Sequence, residues 1–464
     1  MKVTFLSIGL MLLSTLSSGS VQAADTFVLP QGAGTKSGAS WENALDASAG
    51  GLQKGWDAIA PGETCFVGGG EYKGVTLSVG GGGTEARYKK LVGVNRGGER
   101  PRLVGTWTKE MPAKGPDCIT LKQGASFWSL ENLDIRSYRN AVITSGGRHT
   151  GIRLLNIDVT GARAGMELAG GGLAAQPEIG THDVVIQDCD FVNFTKRGIR
   201  FQGGNYKVRV VNCLADAGGK VWATEPFQMG FSVQGSQTSD KKATEASADH
   251  DITFVNCTAN NSYNDAGAGY WNADGFVAES TPYNLRYENC KALDNTDGGW
   301  DDKSRNPVLI NCVALRNKRN FRFWTTKGTA TLTNCIGAFA VKRGGNSTGA
   351  GLWSKGNVRA ENCTFHDNTI NVDLDEPTAR VELVRCIISS SKAKRGTPST
   401  VEAGGQLTLT DTAVWEEGKN GDDPQFASTA WDGTGNGMDS RRYGKAKGYH
   451  SGFSASAGRV GARN

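Results

Sequence analysis

Two short acidic segments stand out for the chemistry they could do. Asn272-Ala-Asp274-Gly-Phe is one, and Asp294-Asn-Thr-Asp297-Gly-Gly-Trp-Asp301-Asp302-Lys303 is the other; 23 positions separate Asp274 from Asp297. Carboxylates brought close together repel one another unless a cation joins them. Oxygen donors without histidine suit a hard ion, Ca²⁺ rather than zinc. Asp-Gly is also a common turn pair, in which the aspartate caps its own backbone. The segments therefore hold a metal only if the fold brings them together.

A second pattern runs from cysteine to charge. Arg200 lies 11 residues after Cys189, Asp301 11 after Cys290, Arg322 10 after Cys312 and Asp373 10 after Cys363. Asp274 lies 17 after Cys257, in a stretch with a longer loop. We expect these five to stack as one outward ladder. Carboxylates and guanidiniums alternating on one face suit an anionic polymer.

The element that must position them is a repeat. Eight cysteines, from Cys189 to Cys386, are spaced 24, 44, 33, 22, 23, 28 and 23 residues apart. The short gaps define a unit of about 22 residues, and the long ones are that unit plus a loop. Asn precedes six of these cysteines, at 212, 256, 289, 311, 334 and 362. Apolar residues sit three and five positions before most of them, as Leu285 and Tyr287 do before Cys290. A small or apolar residue follows two positions after, as Ala292 does. Spacings of two mean strands with alternate side chains inward. The spacing of three across Asn shifts the inward phase by one residue, which requires a corner. Asn tolerates left-handed backbone there, and it can hydrogen-bond the Asn of the next turn. Such a unit is one coil of an all-β, right-handed parallel β-helix. The cysteines then stack inside as small buried hydrophobes rather than as disulfides. Asn132 and Asn156 carry the pattern upstream without cysteine. We place the β-helix at residues 51–415, between an N-terminal cap segment at 24–50 and a C-terminal closing segment at 416–464. The polar stretch 236–249 reads as a surface loop.

Ala273-Asp-Gly-Phe and Asn295-Thr-Asp-Gly-Gly-Trp-Asp together resemble the family nine pectate lyases, whose motifs read Ala-Asp-Gly-Phe and Asn-x-Asp-Asp-Gly-Trp-Asp. The resemblance implies calcium bound by Asp274, Asp297 and Asp301. Gly298 stands where the family has a further aspartate, and Asp302 is the candidate to replace it. The family's base is a lysine in Asn-Gly-Phe-Lys-Leu. Asn320-Phe-Arg322-Phe-Trp matches that segment and implies Arg322 as base, although a guanidinium holds its proton strongly. Lys303, two residues beyond Asp301, is the alternative. The implied reaction is calcium-assisted β-elimination of a uronate polymer such as pectate. Arg200 and Arg319 could grip flanking carboxylates through bidentate contacts. Trp271, Trp300, Trp324 and Trp353 fall near the ladder and could stack on sugars. Strand parity turns Trp324 outward with Arg322.

Residues 1–23 read as a secretory signal: Lys2, an apolar core from Phe5 to Leu16, and Val21-Gln22-Ala23. That core is too short to span a membrane. We expect a secreted monomer with no membrane span. The 51 Lys and Arg exceed the 46 Asp and Glu by only five, which excludes the dense basic surface of a nucleic-acid binder. The 64 glycines accompany only 12 prolines, which excludes collagen. None of the five histidines lies in a Gly-His-Gly step of the polygalacturonase type, and the Asp-Pro-His-Glu of alginate epimerases is absent. The remaining alternative is a non-catalytic β-helix that binds carbohydrate at a cell surface as an adhesin. It would need the fold and the tryptophans but no base.

Overall fold

The computed structural model describes residues 24–111, 114–171, 180–219, 227–234, 248–264, 271–279, 282–345, 347–391 and 397–419. The proposed signal, most of the 236–249 loop and residues 420–464 of the closing segment lie outside them.

The chain is a parallel β-helix. Among the described residues its strands form one sheet of 12 and one of 26, and every pairing between named strands is parallel. One coil illustrates the rest, with strands Tyr283–Glu288, Lys291–Leu293 and Gly298–Asp302. Asn289 and Cys290 form the corner between the first two. Asn289 has φ 53°, as corner residues Asn212, Asn256, Asn311, Asn334 and Asn362 also have left-handed backbone. Leu285 and Tyr287 before the corner, and Cys290 and Ala292 after it, are all buried. That is the phase shift expected from the three-residue spacing.

The corner amides join coil to coil. Asn256 Nδ2 donates to Asn212 Oδ1 at 3.0 Å, Asn289 to Asn256 at 3.1 Å, Asn311 to Asn289 at 3.1 Å and Asn334 to Asn311 at 3.2 Å. All ten cysteines are buried and free, Cys65 and Cys118 included. Inside, Phe231, Phe276, Trp300 and Phe321 stack at centroid spacings of 5.1, 4.8 and 5.2 Å. Trp300 is therefore core packing, not a sugar platform. At the N-terminal end the helix Gly51–Ala58 buries Leu52 and Trp56 and packs on the strand Thr26–Leu29.

Candidate active site

Seven strands of the 12-stranded sheet frame the site: β1 (Arg197–Gln202), β2 (Met229–Gln234), β3 (Asp274–Ala278), β4 (Gly298–Asp302), β5 (Arg319–Phe323), β6 (Ala350–Ser354) and β7 (Ile370–Leu374). Their register draws one row across the sheet: Arg200, Ser232, Val277, Asp301, Arg322, Trp353, Asp373. Four of the five residues expected in one ladder share it. Asp274 does not, because Val277 holds that rung. Asp274 pairs with Met229 three residues earlier on β3, and the register of Phe276 with Trp300 sets Gly298 beside it.

The acids and bases nonetheless meet. Arg322 Nη1 lies 3.1 Å from Asp297 Oδ2 and 3.7 Å from Asp301 Oδ2. Arg319 Nη1 lies 3.5 Å from Asp297 Oδ1. Lys303 Nζ lies 3.2 Å from Asp301 Oδ2 and 3.1 Å from Glu279 Oε2. Trp324 Nε1 donates to Asp301 Oδ1 at 2.5 Å. The backbone N–H of Gly298 donates to Asp274 Oδ1 at 2.6 Å. Asp274, Asp297, Asp301, Arg319 and Arg322 are all buried, so these charges act with little screening.

Electrostatics separate the three aspartates. Burial, followed by the like charges of Asp301 and Asp297, pushes the Asp274 carboxyl well above the usual carboxylate range. Burial opposes ionisation of Asp301 too, but Arg322, Lys303 and the Trp324 N–H outweigh it and hold that carboxyl below its usual value. Burial raises the Asp297 carboxyl too, against the pull of Arg322 and Arg319, so Asp301 is the one of the three held below its usual value. Lys303 is held above its ordinary value: burial works against its charge, and Asp301 and Glu279 overcome it. Its ammonium keeps its proton, which fits a group that positions Asp301 better than it fits a base.

Asp302 is a correction to the expected ligand set. It follows the strand alternation into the coil, where Tyr287 Oη donates to its Oδ2 at 3.2 Å and Ser304 N and Oγ donate to its Oδ1 at 2.8 and 2.5 Å. It cannot replace the carboxylate missing at Gly298. Arg200 lies three rungs from Asp301, outside the cluster. Trp324 and Trp353 meet edge-on at 4.8 Å, and the Arg322 guanidinium lies over both, at 4.3 and 5.0 Å. Trp271 packs on Tyr263 at 6.2 Å, apart from that pair.

Two observations bear on a cation. Asp297 Oδ1 is buried without a hydrogen-bond partner. At Gly298 a Cβ would come within 2.9 Å of Asp274 Oδ1 and 3.1 Å of Asp301 Cβ, so glycine leaves a cradle between the two acids. Among the described residues no three carboxylates already surround one point. Arg322 Nη1 lies within reach of both Asp297 and Asp301 instead. Asp297 and Asp301 offer hard oxygen donors, and Arg322 already lies against both.

One supporting feature has a sequence signal that the cysteine spacing hides. Buried amides run beneath the cluster, Asn295 to Asn317 (2.9 Å), Asn317 to Asn320 (2.9 Å), Asn320 to Asn368 (3.0 Å) and Asn368 to Asn371 (2.9 Å). The repeated Asn-x-x-Asn at 317–320 and 368–371 marks this second corner.

No protein-family model matches the chain, and no curated protein matches it in sequence. Solved structures do match in shape. The A-module of mannuronan C-5 epimerase AlgE6 from Azotobacter vinelandii aligns with a TM-score of 0.54 at 15% identity, over 78% of this chain and 94% of that one. XylC in complex with xylose aligns with a TM-score of 0.50 at 8% identity, over 88% of each chain. Pectate lyase Pel9A aligns with a TM-score of 0.44 at 14% identity, over 93% of this chain and 89% of that one. At these identities the likeness shows the β-helix fold. Among the described residues no helix is long and apolar enough to cross a membrane.

Proposed function

We propose that the protein is a secreted polysaccharide lyase that cleaves a uronate polymer by β-elimination. The observation that carries this reading is the meeting of Asp274, Asp297 and Asp301 with Arg319 and Arg322 on the outer face of adjacent coils. The motif resemblance to family nine pectate lyases, and the β-helix fold shared with an epimerase that acts at C-5 of mannuronan, support it. Elimination begins by removing the C5 proton of a uronate, which is weakly acidic until its carboxylate charge is offset. Arg319 would take that carboxylate and stabilise the enolate-like charge that develops. Asp274, Asp297 and Asp301 would hold Ca²⁺, which when bound adds Lewis-acid neutralisation of the same carboxylate. Arg322 is the proton acceptor in this scheme. It pairs with Asp297 and Asp301, so it must first pass a proton to Asp297; the neutral guanidine then takes the C5 proton, the C5–H electrons form the C4–C5 double bond, the C4–oxygen bond breaks, and the departing oxygen takes the proton from Arg322. Lys303 and Trp324 fix Asp301. Trp324, partly exposed beside Arg322, offers a face to a sugar ring.

The test is the ultraviolet absorbance of the unsaturated uronate end, followed on polygalacturonate and on alginate. The proposal expects it to rise, to rise faster with Ca²⁺ than with a chelator, and to vanish in Asp301→Ala. Independently of activity, Ca²⁺ should raise the melting temperature of the wild type but not of Asp297→Asn. Glycan binding without any new absorbance would instead favour the surface-binding reading, which the paired state of Arg322 also suits.

A further inference from the structure

The row through Asp301 and Arg322 changes charge along its length. Toward the N-terminus it passes Val277 and Ser232 to Arg200, and then to Glu167. Arg200 Nε donates to Gln234 Oε1 at 2.9 Å, and Arg200 Nη1 lies 3.8 Å from Glu167, which Arg163 also faces at 3.7 Å. Arg197 stands on the same strand as Arg200. Among the described residues these three guanidiniums stand against the carboxyls of Glu167 and Asp249, 3 − 2 = +1 with both ionised.

Toward the C-terminus the row passes Trp353 to Asp373. Asp375 and Glu402 act on Asp373 as like charges. Lys355 faces Asp375 at 4.0 Å and Glu376 at 2.5 Å. Among the described residues Lys355 and Arg319, which also acts on Asp373, stand against these four carboxylates, 2 − 4 = −2.

We infer that an anionic polymer lies over the N-terminal coils, anchored at Arg200, and that its end stops at Asp373, so that cleavage trims short pieces from a chain end. This rests on the lyase reading above and adds the direction and the length of chain bound. A polyanion is drawn to guanidiniums, which take carboxylates as bidentate partners, and is repelled by the acidic end. Asp373 lies two strand spacings from Arg322, ~10 Å at ~4.8 Å each, which leaves room for only a short end of a sugar chain. On the other side, three spacings separate Asp301 from Arg200, ~14 Å of bound polymer.

The experiment digests polygalacturonate, alginate and size-graded oligomers of each, reading ultraviolet absorbance and the sizes of the products by chromatography. One short product size from the earliest time points is expected. Arg200→Ala should raise KM on long oligomers about tenfold, the value of one charge-assisted contact. The double variant Asp373→Asn, Asp375→Asn should lengthen the products. A broad ladder of sizes from the start, or an unchanged KM in Arg200→Ala, would overturn the inference while leaving the lyase reading intact. If no absorbance appears, the lyase reading fails, and affinity electrophoresis on the same polymers still reads the placement. Binding about tenfold weaker in Arg200→Ala supports it, and equal or absent binding overturns it.

Discussion

Two walls of the same coil solve the same stacking problem in opposite ways. A β-helix sets equivalent positions of successive turns about one strand spacing apart, so each side chain meets its own counterpart. At the Asn289 corner like meets like, because an amide both donates and accepts: Asn289 gives to Asn256 and receives from Asn311. On the β4–β5 face like cannot meet like, because a carboxylate only accepts and a guanidinium only donates. There opposite charges meet, with Asp301 beside Arg322. Uniform rungs build a wall. Opposite charges, buried and partly unsatisfied, build a place where an outside ion or carboxylate can enter the network.

The sharpest way to break this comparison is to remove one partner from each wall. Arg322→Gln leaves Asp297 and Asp301 buried with less countercharge, and we expect a loss of about 3–5 kcal/mol in unfolding free energy by denaturant titration. Asn289→Ala interrupts the corner and sets at φ 53° a residue that lacks the amide by which asparagine tolerates left-handed backbone. It should cost about 2–3 kcal/mol, from left-handed strain and unmade hydrogen bonds. Asn289→Gly keeps the backbone free and should recover about 1 kcal/mol of that. Equal losses in Arg322→Gln and Asn289→Ala would erase the distinction between the walls.

Asp249 sharpens the comparison further, because it is an acid among the neutral rungs. It accepts from Asn205 N at 2.8 Å, Asn205 Nδ2 at 2.7 Å and Gly203 N at 3.1 Å. Burial nevertheless raises its carboxyl from 3.8 to about 7. The folded protein therefore holds a proton that the unfolded chain has lost. The resulting stability is present below about 4 and is lost as pH rises through about 7. Asp249 should contribute on the order of 2 kcal/mol to a fall in stability between pH 5 and pH 8, beside Asp302 and Asp373, which burial raises to about 6, and Asp249→Asn should remove that share.

The wall was far more legible in the sequence than the site. Asn and Cys recur because every corner imposes the same backbone and the same buried volume, so their spacing gives the coil, its phase and its free cysteines. The row from Arg200 to Asp373 was readable by counting from those cysteines. Asp274 was counted into that row but lies off it, because three residues on the same strand separate it from the rung held by Val277. Asp302 was misplaced because adjacent acids look alike in sequence, whereas strand alternation sends one out and the next in. The ion pairs of Arg322 and Lys303 depend on which rungs become neighbours, and spacing alone does not reveal that.

The most direct measurement is the ultraviolet time course of unsaturated uronate formation on a uronate polymer, comparing the wild type with Asp301→Asn. Loss of one electrostatic stabiliser at such a site lowers the rate by about 10²–10³-fold. We expect a clear rise for the wild type and a drop of that size for the variant. Equal rates in the two proteins would contradict the assignment of the Asp301–Arg322 cluster as the centre of the chemistry.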